Sequence, residues 1–145
     1  YVEDVVRGQW SSLERETVIR RTTEQDYHRY GQVEVWLEQE PGSGGRDSAE
    51  FTIRNLAGFT AYAERASGTK AIRAEPFAAQ CEAGNVKLVR GDWNESYLDE
   101  LTVFPNGLHD DQVDASSGAF NRLLGLGQSY EETVEFYDPV SISPF

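Results

Sequence analysis

Val33-Glu34-Val35-Trp36-Leu37-Glu38 leads into Pro41-Gly42-Ser43-Gly44-Gly45, and a helical stretch over about 47–56 follows. The β-branched and aromatic run predicts a buried strand, because such side chains pack well on a pleated surface. The glycine cluster behind it predicts a flexible loop at the strand's carboxyl end. Residues 59–63 are a second strand candidate. Strands alternating with helices in this way predict an α/β fold, a mixed sheet flanked by helices. The loop lacks the Lys-Ser/Thr ending of a Walker A motif and does not fit a Rossmann fingerprint, which favours a plain mobile loop over a phosphate cradle.

The alternation extends to both sides. Residues 1–7 read as an opening strand, and Ser11-Ser12-Leu13-Glu14 has capping-box spacing. A helix is expected over 13–30, with Leu13, Val18, Ile19, Thr22, Tyr27 and Tyr30 as its apolar stripe and Gly31 as its stop. Further helices are expected over 70–83, 93–103 (capped by Asp92 or Asn94) and 110–124, with a short strand at 86–89. Trp36 and Trp93 read as core anchors, and Cys81 as a small buried apolar residue. Residues 1–124 are expected to form one domain. Residues 125–145 then form an acidic arm carrying Glu131, Glu132, Glu135 and Asp138.

The chain has 145 residues, 39% of them hydrophobic, enough for a single core. No apolar run approaches the ~18 residues of a membrane-spanning helix, so no membrane partner is expected. One cysteine excludes a disulfide framework and a cysteine-based zinc site. Thirteen basic against 25 acidic residues leave a formal charge of −12, which by itself argues against nucleic-acid binding. Eleven of the basic residues are arginine, however, the side chain suited to bidentate phosphate contact. Arg15, Arg20, Arg21 and Arg29 are expected to face solvent and pair with acidic residues of the first helix. The sequence holds no methionine, and no basic segment precedes the opening strand. A natural chain that begins upstream, with no signal peptide here, is the expectation.

The chemistry concentrates in Leu108-His109-Asp110-Asp111-Gln112-Val113-Asp114-Ala115. Three carboxylates crowd where a turn meets a helix, and crowding raises repulsion unless a cation lies between them or water screens them. Asp110 and Asp114 stand one helical turn apart and can share a face. Two readings stay open: helix capping with dipole complementarity, or a metal site of hard oxygen donors. Glu38 closes a strand just before the glycine loop, where open α/β sheets place their ligands. Glu40 lies on the same face by the strand period and is its rival. Arg65, Lys70 and Arg73 surround the Ser67-Gly68-Thr69 turn as candidate DNA-backbone contacts or ordinary surface charges.

KAIRAEPFAAQCEAGNVKLV from Lys70, followed by WNESYLDELTVFPNGLHDDQVDA, resembles the carboxyl-terminal nuclease domain of the large terminase subunits of tailed bacteriophages and prophages. YVEDVVRGQW and VWLEQEPGSGG are similar to that family's third strand and its glutamate-bearing strand. The resemblance implies an RNase H-like fold of the RuvC/terminase-nuclease type. It also implies a metal-dependent endonuclease that cuts concatemeric viral double-stranded DNA by two-metal phosphodiester hydrolysis with Mg²⁺ or Mn²⁺. The setting it implies is the cytoplasm of the bacterial host, beside an ATPase motor domain on the same polypeptide, with portal and small terminase subunit as partners. Carried over by position, Glu38, Asp110 and Asp111 are catalytic metal ligands. Asp114 is a further ligand or a structural residue, and His109 an accessory that orients water or phosphate.

One departure follows. The family's first catalytic aspartate finds no match here, and Asp4 lies on the strand that resembles the third. The first strands are therefore expected upstream of this chain, which is expected to bind divalent metal weakly and cut DNA poorly. An unpaired sheet edge results, to be filled by the tail at 130–137 or by a second copy in a homodimer. A separate reading is a non-catalytic docking domain with a degenerate nuclease fold.

Overall fold

The computed structural model describes residues 1–125. Helix α1 (Ser12–Tyr30) starts with the expected capping box. The Ser11 backbone N–H donates to Glu14 Oε2 at 2.9 Å, and the Glu14 N–H donates to Ser11 Oγ at 3.4 Å. The helix stops at Gly31, whose N–H reaches the Tyr27 carbonyl at 2.8 Å. Its buried face differs from the apolar stripe expected. Glu16 and Thr23 are buried, while Leu13, Tyr27 and Tyr30 are exposed. The reason is the neighbour: the Glu16 carboxylate accepts from Thr52 Oγ1 at 2.9 Å and Asn55 Nδ2 at 3.2 Å, so a polar seam binds α1 to the next helix. Arg20 pairs with Glu24 one turn on at 3.0 Å, whereas Arg29 reaches Glu3 outside the helix.

Strand β1 (Glu34–Gln39), helix α2 (Ser43–Asn55) and strand β2 (Thr60–Arg65) form a parallel βαβ unit. The register places Trp36 opposite Tyr62 and Glu38 opposite Glu64. Helix α2 packs back on both strands and touches α1. The expected loop at 41–45 is shorter than the sequence suggests, because α2 begins at Ser43. Two glycines have local reasons. Gly42 takes φ 95°, a left-handed conformation that favours glycine. A Cβ on Gly45 would run into the Glu40 carbonyl. The glycines thus serve a tight strand-to-helix reversal.

Helices α3 (Lys70–Glu82), α4 (Asn94–Val103) and α5 (Asp111–Leu123) complete the described chain, with α3 and α4 both packed on α5. Ala74, Phe77, Tyr97 and Val113 are buried among them, and Phe77 meets Phe120 at 5.7 Å between ring centres. Neither Asp92 nor Asn94 caps α4. Trp93 holds that position without a side-chain bond, because Asn94 Oδ1 is taken by the Gly91 N–H at 2.8 Å. The strands expected at 1–7 and 86–89 reduce to one parallel bridge, Val2 to Leu88. Trp36 and Trp93 are half-buried, so neither belongs to the fully buried core. Among the described residues the sheet has two strands, and the arm and tail strand expected beyond 125 lie outside them. No helix among the described residues is long and apolar enough to cross a membrane.

Hydrogen bonds from the Ser11 hydroxyl first, then its backbone N–H, hold the Glu14 carboxyl below its ordinary value of 4.5. A lowered folded value means stability present above 4.5 and lost as pH falls through the lowered value. Ser11→Ala is expected to cost about 1 kcal/mol at pH 7 in urea unfolding. The deficit should shrink in acid as Glu14 protonates in both proteins; an equal deficit at every pH would show that the box is not what Ser11 contributes.

Candidate active site

Asp110 occupies the N-cap of α5, the position where a carboxylate ordinarily takes an orphan helix N–H. Its side chain makes no such bond. Glu100 does so instead, from α4. Its Oε1 accepts from the Gln112 N–H at 2.6 Å and the Val113 N–H at 3.3 Å, and its Oε2 from Gln112 Nε2 at 2.6 Å. Glu100 is 6% exposed, and a charge so buried needs these donors. The capping reading of Asp110 is thereby corrected: an incoming carboxylate does that work and leaves Asp110 for another partner.

That partner comes from α3. Thr69 caps α3 by accepting the Ile72 N–H at 3.3 Å, which fixes the orientation of the first turn. Lys70 and Arg73, three residues apart, face the same way. Lys70 Nζ stands 2.7 Å from Asp110 Oδ1 and 2.8 Å from Asp114 Oδ2. Arg73 Nη2 stands 3.0 Å from Asp114 Oδ1 and 3.6 Å from Glu38 Oε1. The hydrogen bond to Asp110, then that to Asp114, pushes the Lys70 ammonium well above its ordinary value of 10.5. The expected shared face of Asp110 and Asp114 is thus present, and a lysine spans it.

These groups border a cleft of about 870 Å³ between the βαβ unit and the α3–α5 pair. Glu38, Glu40, Asp111 and Asp114 line it, as do Arg65, Lys70 and Arg73. Asp110 is outside the lining and tied to it through Lys70. Asp111 is exposed and makes no side-chain hydrogen bond or ion pair among the described residues. His109 is exposed and does not line the cleft. Arg65 also borders a smaller cavity of about 560 Å³, next to Arg46 and Ser43 at the start of α2.

Residues 5–123 match the family described as the terminase RNaseH-like domain. The chain belongs to that family. No curated protein and no solved structure matches it. Membership in the terminase RNaseH-like domain family brings with it a general nuclease role and a general use of divalent metal by RNase H-like nucleases. The side chains fit that metal in kind, since carboxylate oxygens are the donors a hard cation prefers. They do not fit it as placed: among the described residues no three His, Cys, Asp or Glu side chains are grouped to hold a metal. Lys70 and Arg73 hold Asp110, Asp114 and Glu38 instead.

Sequence reasoning missed two features of this region, one lining the cleft and one buried behind it. Arg122 of α5 forms an ion pair with Glu64 of β2 and lies 4.4 Å from the Trp36 ring centre, while Trp36 stacks on Tyr62 at 4.4 Å. Glu100 was missed as well. No local signal marks either, because each partner lies on another element.

Glu100→Ala is expected to destabilise the protein by about 1–3 kcal/mol in urea unfolding, the cost of stranding buried donors. Asp110→Ala, which removes a half-exposed ion pair and no cap, should cost no more than about 1 kcal/mol. Equal losses for the two variants would show that Glu100 is not the cap of α5.

Proposed function

We propose that this chain is the nuclease domain of a DNA-packaging terminase large subunit, cutting concatemeric viral DNA by metal-dependent phosphodiester hydrolysis in the host cytoplasm. The observation that carries the proposal is the convergence of Glu38, Asp111 and Asp114 on one cleft in a chain of this family. Glu38 and Asp111 are the proposed catalytic carboxylates, with Asp110 and Asp114 as further ligands and Glu40 in reserve. Asp111 is the first candidate, because no cation among the described residues engages it. A Mg²⁺ or Mn²⁺ held by these carboxylates would supply Lewis acidity to phosphodiester hydrolysis. Arg65, Lys70 and Arg73 are the proposed DNA-backbone contacts, and Arg65 at the cleft's edge is free of ion pairs among the described residues. His109, exposed one residue before Asp110, is proposed only as an accessory. The proposed partners are an ATPase motor domain on the same polypeptide, the portal, the small terminase subunit and a second copy of the chain.

One observation favours a second reading. The carboxylates are held by cationic side chains, as they would be in a docking domain whose nuclease site has degenerated. Calorimetry with Mn²⁺ separates the two. The nuclease reading expects weak binding that disappears in Asp111→Ala, and slow plasmid cleavage by the 145-residue chain. Absence of any Asp111-dependent heat, with both proteins folded, would leave the docking reading standing. Fast cleavage would overturn the expectation that this chain alone is a poor nuclease.

A further inference from the structure

The smaller cavity, of about 560 Å³, lies where the reversal from β1 into α2 meets the end of β2. Glu38 and Glu64 stand opposite each other one position before the strands end, and Gln39 and Arg65 stand opposite each other at the last position. Side chains alternate along a strand, so Gln39 and Arg65 leave the sheet on the face away from those two glutamates. There they border the cavity together with Ser43 and Arg46 of α2. Arg46 and Arg65 are both exposed, and neither makes a side-chain hydrogen bond or ion pair among the described residues. The chain carries 25 acidic against 13 basic residues, yet two arginines from different elements converge here against one carboxylate, Asp47, which pairs with neither. Carboxylates outnumber cations in the larger cleft, whereas this cavity has one positive charge in surplus. The two cavities share Pro41, Arg65 and Ala66 as walls, so they adjoin along one surface.

We propose that Arg46 and Arg65, with the Ser43 hydroxyl, form a separate anion subsite that holds a backbone phosphate of DNA beside the one entering the cleft. The proposal rests on the nuclease reading above and adds to it a contact outside the carboxylate cleft. Three features select this ligand. No aromatic side chain lines the cavity, so it offers a base nothing to stack on and recognises charge instead. Both guanidiniums are exposed, which suits a polyanion running over the surface and not a small enclosed metabolite. Each guanidinium presents paired donors that match two oxygens of one phosphate. Arg65 stands in the wall common to both cavities, while Arg46 borders the smaller one alone and is the residue specific to the subsite. Its role is to bind, since it touches neither Glu38 nor Asp111. The cleft's own carboxylates repel a phosphodiester, and a neighbouring phosphate gripped by the two arginines holds the strand against that repulsion.

Fluorescence anisotropy of a short labelled DNA duplex, titrated with the 145-residue chain across a salt series, tests this. Each phosphate contact contributes about 0.9 to the slope of log affinity against log salt. Arg46→Gln is expected to lower the slope by about that amount and to weaken binding about fivefold at low salt. Arg46→Lys, which keeps the charge, should keep the slope. The control is Arg54→Gln, on the same helix: Arg54 is exposed, has no side-chain hydrogen bond or ion pair among the described residues and borders neither cavity. It should leave the slope unchanged and alter affinity less than about twofold. A parent that binds duplex, with Arg46→Gln indistinguishable from Arg54→Gln, would overturn the subsite and leave the nuclease reading intact. No duplex binding by the parent at the lowest salt would overturn both. The parent also gives a measurement that needs no variant to fold. In a ¹⁵N-arginine-labelled sample, the duplex should move the Nε–H resonances of Arg46 and Arg65 together and leave that of Arg54 in place. Movement with inorganic phosphate but none with duplex would mean a site for the free anion only and would overturn the assignment to DNA.

Discussion

A single carboxylate, that of Glu100, determines what the acidic end of α5 is free to do. Helix starts carry orphan N–H groups and a partial positive charge, and a nearby aspartate usually answers both. Glu100 answers them from a neighbouring helix, with three donors converging on its two oxygens. The arrangement depends on close packing of α4 against α5, to which Tyr97 contributes by burying its ring and meeting Ser116 Oγ at 2.8 Å. Asp110 and Asp114 are consequently released from helix duty. Their charges look outward to α3, where Thr69 has set Lys70 and Arg73 facing them.

The cleft that results is bridged by charge. Arg73 reaches from α3 to Glu38 on β1, and Arg122 from α5 to Glu64 on β2. Ion pairs of this kind contribute little net stability, because desolvation offsets most of the Coulomb attraction. They do discriminate among geometries, since a small shift of sheet against helices would leave half-buried charges unpaired. Arg122 adds a contact with the face of Trp36, which turns the edge of the βαβ unit into a surface that holds a guanidinium. The indole therefore lies at the boundary between sheet and cleft, which is why it is not a core anchor.

Legibility in the sequence tracks the range of the interaction. The Ser11–Glu14 box, the Gly31 stop and the β1–α2–β2 order depend on neighbours within a few residues, and each is present. Asp110 and Asp114 sharing a face follows from helical spacing alone. What could not be read is set by partners far along the chain. Lys70 lies 40 residues before Asp110, and Glu16 finds Thr52 36 residues away. The buried polar seam of α1 is invisible to a rule that looks for apolar stripes. Gly42, Gly44 and Gly45 misled for the opposite reason: composition signals freedom, but a left-handed turn at Gly42 and a close carbonyl at Gly45 use that freedom to start a helix early.

The overall charge of −12 has a local counterpart that bears on substrate. Six carboxylates line the cleft against four cationic side chains, a surplus of two negative charges at neutral pH. Counting Asp110, which shares Lys70, makes it three. A phosphodiester approaching this surface adds to the surplus and is repelled by it, whatever arginines lie at the rim. One divalent cation would cancel most of the excess and present the phosphate with a positive centre in the same step. For the proposed substrate, cation and DNA are thus electrostatically coupled, each improving the site for the other. Lys70 is already in that count: seated between Asp110 and Asp114, it offsets one of their two negative charges and leaves the surplus standing.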